Sequence, residues 1–128
     1  MKHVLFVCVE NSNRSQMAEA FARMHAPAGV EGHSAGSRPS GKVNPRAIEF
    51  MAECSYDLTT HRSKSTSEFD GQEVEVAVTM GCGDECPLVN AKRREEWQIP
   101  DPKELSPGEY RRIRDLIEQK VKNLLANV

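Results

Sequence analysis

Cys8 and Arg14 stand with five residues between them in VLFVCVENSNRSQMAEAF, Val4 to Phe21. A thiol at the end of an apolar run and a guanidinium where a helical pattern begins suit one task, holding a tetrahedral oxyanion over a nucleophile. A loop leading from a strand into a helix N-terminus aims several backbone N–H groups at one point, and the helix dipole adds positive potential there. Arg14 adds a planar fork of donors matched to two oxygens. The same fields stabilise a thiolate at the start of the loop. Ser15 can donate its hydroxyl to that sulfur, and Asn11 can brace the loop through side-chain hydrogen bonds. A lone cysteine ending a strand is more often simply buried. Strand, loop, arginine and helix in this order favour the reactive reading.

The elements that position these residues follow from the hydrophobic pattern. His3 to Cys8, HVLFVC, is a continuous apolar run, as expected of a strand covered on both faces. Ser15 to His25 carries Met17, Phe21 and Met24 at helical spacing, and EGHSAG, Glu31 to Gly36, reads as a short strand. Asn44-Pro45 is a cap followed by proline at the first helical position, opening a helix with Ile48, Met51 and Ala52 on one face. Glu73 to Met80 is the clearest further strand, and EEWQI around Trp97 is a short one. Ser106 to Glu109 is a capping box before a long helix striped by Ile113, Leu116, Ile117, Val121, Leu124 and Leu125. The order β-α-β-α-β-β-α predicts an α/β fold: a single domain over 1–128, with a four-stranded parallel sheet and helices on both faces. In such sheets ligands bind at the carboxyl ends of strands. Cys8 is at one such end, and GCGDEC, Gly81 to Cys86, follows another.

The totals narrow the function classes. Lys plus Arg number 17 against 19 Asp plus Glu in 128 residues, a net charge of -2, which argues against general nucleic-acid binding. No apolar run approaches the ~20 residues of a membrane span, and none resembles a secretory leader, so a cytoplasmic protein is expected. Four cysteines in such a chain are not a disulfide framework. Cys82-x3-Cys86 could be half of a metal site, but no second ligand pair accompanies it, so no metal is expected. Cys54, on a helix face without polar company, reads as core packing.

VLFVCVENSNRSQMAEA resembles the signature loop of the low-molecular-weight protein tyrosine phosphatase superfamily, and NRSQMAEA is similar to its arsenate reductase branch. The likeness continues through SAG (34–36), VNPRAIEFM (43–51), HRSK (61–64), VTMGCGDECP (78–87), EEWQIPDP (95–102) and the last helix. It implies a phosphatase-like fold with flavodoxin-like winding and Cys8 as nucleophile. It implies an anion cradle of Val9, Glu10, Asn11, Ser12, Asn13, Arg14 and Ser15, with arsenate as substrate and phosphate or sulfate as analogues. Asp101 of IPDP matches the general acid. Lys103-Glu104-Leu105 follow it, where the phosphatases place aromatic residues that stack on phosphotyrosine.

Arsenate and phosphate share shape and charge, so the step after attack separates the activities. A phosphatase needs water at the cysteinyl adduct; a reductase needs a second thiol at the Cys8 sulfur, leaving a disulfide as arsenite departs. The resemblance gives that role to GCGDEC: Cys82, between two glycines that permit a backbone swing, with Cys86 as a candidate second relay thiol. No bound cofactor is implied. An external reductant is: thioredoxin, glutaredoxin with glutathione, or another small thiol. Nothing demands more than a monomer. The alternatives are a low-molecular-weight protein phosphatase and a non-catalytic oxyanion- or arsenite-binding module. Three departures stand out. Asn13 occupies a position that is commonly cysteine, and Glu10 puts a carboxylate in the loop. Lys64 stands where an Asp completes a potassium site with Asn, Glu and Ser in some relatives. Asn11, Glu19 and Ser34 match the rest of that set, which suggests that the Lys64 ammonium replaces the cation.

Overall fold

The computed structural model describes residues 1–81 and 89–128. Its elements are β1 (Lys2–Cys8), α1 (Arg14–His25), β2 (Val30–Gly36), α2 (Pro45–Ala52), two short 3₁₀ helices (Leu58–Thr60 and Thr66–Phe69), β3 (Val74–Thr79), β4 (Ala91–Glu96) and α3 (Pro107–Leu125). The strands form one sheet in the order β2-β1-β3-β4, with every pairing parallel. The chain steps outward from β1 to β2 and then returns past β1 to β3. The strand order therefore reverses beside the carboxyl end of β1, where open α/β sheets place their ligands. Register sets Cys8 opposite Gly36 and Val7 opposite Thr79, so these strand ends share one edge.

Alternation along β1 divides the core. Val4, Phe6 and Cys8 join Met17 and Phe21 of α1, Phe50 and Met51 of α2, and Ile117, Val121 and Leu124 of α3 in one cluster. Leu5 and Val7 face the other way, with Ala35, Val74, Ala77 and Val89. The buried apolar residues of α1, α2 and α3 all belong to the first cluster. The second face receives the Thr66–Phe69 3₁₀ helix through Phe69, so helical segments cover both faces but unequally. Among the described residues, no helix is long and apolar enough to cross a membrane.

The predicted caps are present. Asn44 Oδ1 accepts from the Arg46 N–H at 2.9 Å, and Ser106 Oγ accepts from the Glu109 N–H at 3.3 Å. Two expectations shift. The strand expected around Trp97 is Ala91–Glu96, and Trp97 continues its ladder by donating to Thr79 O at 2.9 Å. As the outer strand of the sheet, β4 can carry the charged run AKRREE, which hides the strand from an apolar pattern. On α3 the buried face is Tyr110, Arg114, Ile117, Val121, Leu124 and Leu125, while Leu116 is 40% exposed. Arg114 is admitted because its guanidinium donates to Phe50 O at 3.0 Å and to Glu53 Oε1 at 2.7 Å. Hydrogen bonds from Arg111 and Arg114 hold the Glu53 carboxyl down to about 2.

Candidate active site

The loop between β1 and α1 is fixed from outside by its carbonyls. Cys8 O accepts from Ser37 N–H at 3.3 Å, Val9 O from Arg38 N–H at 2.9 Å and Glu10 O from Ser40 N–H at 3.0 Å. Asn11 O accepts from Gln16 Nε2 at 3.0 Å. Ser12 O accepts from Asn44 N–H and Asn13 O from Met17 N–H, each at 3.0 Å. Every carbonyl from Cys8 to Asn13 is thereby engaged by the protein.

Asn11 is the hub of this loop. Its backbone is left-handed, with φ 51°, a conformation asparagine tolerates better than most residues. Its Oδ1 accepts from Lys64 N–H at 2.9 Å and from Gln16 Nε2 at 3.0 Å, and its Nδ2 donates to Ser15 Oγ at 2.8 Å. Ser15 Oγ lies 2.8 Å from Cys8 Sγ. Because Asn11 occupies a lone pair of that hydroxyl, the Ser15 proton is free to point at the sulfur. Both Asn11 and Ser15 are fully buried, and they support the sulfur from behind.

In front of the sulfur is a cavity of about 200 Å³ lined by Cys8, Val9, Glu10, Ser12, Asn13, Arg14 and Asp101. The sequence-predicted residues thus divide: seven line the cavity, while Asn11 and Ser15 do not. Cys8 itself is only 4% exposed, so access to it runs through this opening. Glu10 is exposed at the rim. Arg14 Nη1 donates to Ile99 O at 2.9 Å, and its Nη2 lies 4.0 Å from Asp101 Oδ2. One guanidinium therefore ties the loop to the segment that bears Asp101. Two glycines permit the close packing: a Cβ at Gly36 would lie 2.4 Å from Val9 O, and one at Gly81 would lie 2.6 Å from Arg14 Nη1.

The comparisons with known proteins agree with this geometry. The family model described as low molecular weight phosphotyrosine protein phosphatase matches residues 3–128. The chain belongs to the low molecular weight phosphotyrosine protein phosphatase family. It is 35% identical to the glutaredoxin arsenate reductase of Synechocystis sp. over all of this chain and 99% of that protein. It is 36% identical to arsenate reductase 2 of Staphylococcus saprophyticus, covering 98% of each. A solved structure described as an arsenate reductase in the phosphate binding state superposes with a TM-score of 0.90 at 35% identity, over 100% of this chain and 99% of that one.

In this member of the phosphatase family, a second polar cluster lies behind the loop. Glu19, 2% exposed, accepts from Ser34 Oγ at 2.6 Å, Lys64 Nζ at 3.2 Å and Arg23 Nε at 3.0 Å. Burial alone would raise the Glu19 carboxyl; Lys64, Ser34, His61 and Arg23 together outweigh it and hold it below the ordinary range. The Lys64 ammonium sits on the carboxylate that a potassium ion would need, and these residues do not fit that ion. His61 Nδ1 lies 2.9 Å from Gln16 Oε1, and His61 Nε2 lies 2.6 Å from the Tyr56 hydroxyl. Burial, helped by Arg23 and Lys64, pushes His61 below its ordinary value despite Glu19. The neutral ring then donates from Nδ1 to Gln16 and accepts at Nε2 from Tyr56.

Sequence reasoning missed four members of this assembly. Gln16 braces Asn11 and is itself held by His61, Tyr110 donates to Asn13 Oδ1 at 2.6 Å, and Arg46 Nη1 donates to Lys103 O at 2.8 Å. The one signal in the sequence was a buried-type helix face carrying Gln16 directly after Ser15. Cys54 lies past the end of α2 rather than on a helix face, packs half-buried against the main core, and burial raises its thiol. Cys82 and Cys86 lie outside the described residues.

Proposed function

We propose that the chain is an arsenate reductase that works through a cysteinyl-arsenic adduct. The observation that carries this reading is Cys8 Sγ, 2.8 Å from Ser15 Oγ, at the floor of a cavity bordered by Arg14 and Asp101. With the loop carbonyls bound outside, this reading assigns the N–H groups of Val9 to Ser15 to the anion. Together with Arg14 they hold the oxygens of arsenate. The Cys8 thiolate attacks arsenic, and Asp101 gives a proton to the departing oxygen, which leaves as water.

The Cys82 thiolate then attacks Cys8 Sγ. A Cys8–Cys82 disulfide forms, the sulfur–arsenic bond breaks, and its electron pair stays with arsenic, which leaves as arsenite. Two thiols lose the two electrons that arsenic(V) gains. Cys86 can attack Cys82 to form Cys82–Cys86 and free Cys8. An external thiol, from thioredoxin, glutaredoxin with glutathione or another small thiol, restores the dithiol. The names of the relatives support the reaction and an external thiol reductant. The protein acts as a cytoplasmic monomer in this reading.

The test is arsenite production with each reductant in parallel, followed by mass mapping of disulfides. Wild type should turn over repeatedly, and Cys8→Ser should make no arsenite. Cys82→Ser should lose multiple turnover while Cys8 still reacts. Repeated turnover by Cys8→Ser would overturn the reading. Undiminished turnover by Cys82→Ser would pass the resolving role to Cys86 or to the external thiol, and Cys82→Ser/Cys86→Ser would separate the two.

A further inference from the structure

We propose that His3, Glu31 and His33 form a binding site for a divalent transition metal, with zinc as its reference ion, at the amino ends of β1 and β2. Register places His3 opposite Glu31, and His33 lies two residues further along β2. Val4 and Phe6 face the main core, so His3, on the other alternation, shares the opposite face with Leu5 and Val7. Ser34 faces Glu19, and its neighbour His33 therefore also takes the opposite face. Among the described residues, this is the cluster in which three metal-ligating side chains converge, with their donor atoms within 4.8 Å of one another.

The distances are those of a site whose donors are already gathered. His3 Nδ1 lies 3.0 Å from His33 Nε2, and His33 Nε2 lies 3.1 Å from Glu31 Oε1. Ligands bound tetrahedrally to zinc at about 2.0–2.1 Å sit about 3.3 Å from one another. Two of the three donor separations are close to that value, and the third is within 4.8 Å, so an ion would draw the Glu31 carboxylate and the His3 ring together. The His33 ring is held by Phe69, with centroids 5.6 Å apart, and by His3 at 5.1 Å. Two imidazoles and a carboxylate are a borderline donor set suited to zinc, nickel and copper(II). Binding displaces the proton shared between the two rings and leaves a fourth position to water. Cys8 is five residues along β1 from His3, roughly 16 Å at strand rise, so this site is separate from the anion cavity. β2 is an edge strand, and the ion would staple its start to β1.

The test uses the full-length reduced protein. Zinc chloride is titrated calorimetrically, melting is followed with and without zinc, and crystals grown with zinc are examined for anomalous density. The expected results are anomalous density between His3 Nδ1 and His33 Nε2, and a rise in melting temperature. His3→Gln and His33→Gln should each weaken binding roughly 10- to 100-fold or more, since losing even a supporting group has an effect of that size. Cys8→Ser should bind as wild type does. Glu31→Gln, at a half-exposed position, keeps the comparison if a histidine variant folds poorly. Cobalt(II) bound at this site should show no thiolate charge-transfer band. Anomalous density confined to cysteines, unchanged affinity in these variants, or no zinc binding would overturn the proposal.

Discussion

The Tyr110 hydroxyl on α3 donates to Asn13 Oδ1 in the anion loop at 2.6 Å. Both residues are buried, and burial pushes the Tyr110 hydroxyl above its ordinary range, so it remains a donor. The bond fastens the loop to the terminal helix at Asn13, directly before Arg14. Tyr110→Phe should therefore destabilise the fold by about 1–3 kcal/mol, because a buried acceptor loses its partner. A double-mutant cycle with Asn13→Ala, read by urea denaturation, should give a coupling of about 1 kcal/mol. Strict additivity would show that the bond contributes nothing.

Ser15 supports the sulfur with a hydrogen bond that gains strength when the sulfur is charged. Bonds to charged groups are worth about 1.5–3 kcal/mol, so Ser15→Ala should slow alkylation of Cys8 by roughly 10- to 100-fold at fixed pH. Mass mapping of the Cys8 peptide after iodoacetamide treatment measures this without interference from other thiols. Ser15→Thr, which keeps the hydroxyl, should recover part of the rate.

These two relationships show what the sequence makes legible. Cys8, Asn11, Arg14 and Ser15 lie within one strand–loop–helix unit, so their meeting follows from local geometry. Tyr110 is 97 residues from Asn13, and it enters the site from an apolar stripe where an aromatic residue reads as core. His61 reaches Gln16 across 45 residues, from a segment with no periodicity of its own. The sheet was legible where strands are apolar, and β4 was misplaced where an edge position allowed charge. Asp101 is singled out as an acid by family likeness alone; the bare Asp-Pro pair reads only as a turn.

The Glu19–His61 cluster predicts acid sensitivity with a definite sign. His61 is held below its ordinary 6.5 in the folded protein. In the unfolded chain it takes a proton as pH falls through that value, so acid favours unfolding. Its contribution is present above about 6.5 and declines as pH falls toward the folded value. The depressed Glu19 carboxylate acts in the same direction at lower pH: its contribution is present above 4.5 and is lost as pH falls through the folded value. Melting temperature should fall as pH drops below about 6.5, and His61→Gln should flatten that slope. An equally steep slope in the variant would assign the effect elsewhere.

With the Lys64 ammonium 3.2 Å from Glu19 Oε1, an internal cation already neutralises the buried carboxylate. Potassium and sodium chloride at equal ionic strength should therefore give the same melting temperature and the same turnover. Lys64→Ala leaves Glu19 buried with Arg23 as its remaining full cation, and should destabilise by roughly 3 kcal/mol or more, in line with breaking a buried pair. A specific potassium response of the wild type, lost in Glu19→Ala, would contradict the internal-cation account.

Arg46 links the terminal helix to the segment carrying Asp101. Its guanidinium lies 4.8 Å from the Tyr110 ring centroid and 5.6 Å from that of Phe50, while Nη1 donates to Lys103 O at 2.8 Å. The stack orients the fork, and the fork holds the backbone two residues beyond Asp101, whose Oδ1 accepts from the Lys103 N–H at 3.1 Å. Lysine can supply the charge but neither the planar stack nor the fixed donor geometry. Loss of one such bond, about 0.5–1.5 kcal/mol, corresponds to a roughly 2- to 10-fold drop in kcat if the proton donor is what loosens. Arg46→Ala and Arg46→Lys should both lower kcat by that amount with a smaller change in KM for arsenate, because the anion loop itself is untouched. A rise in KM at constant kcat would instead make Arg46 part of the route by which the anion is captured.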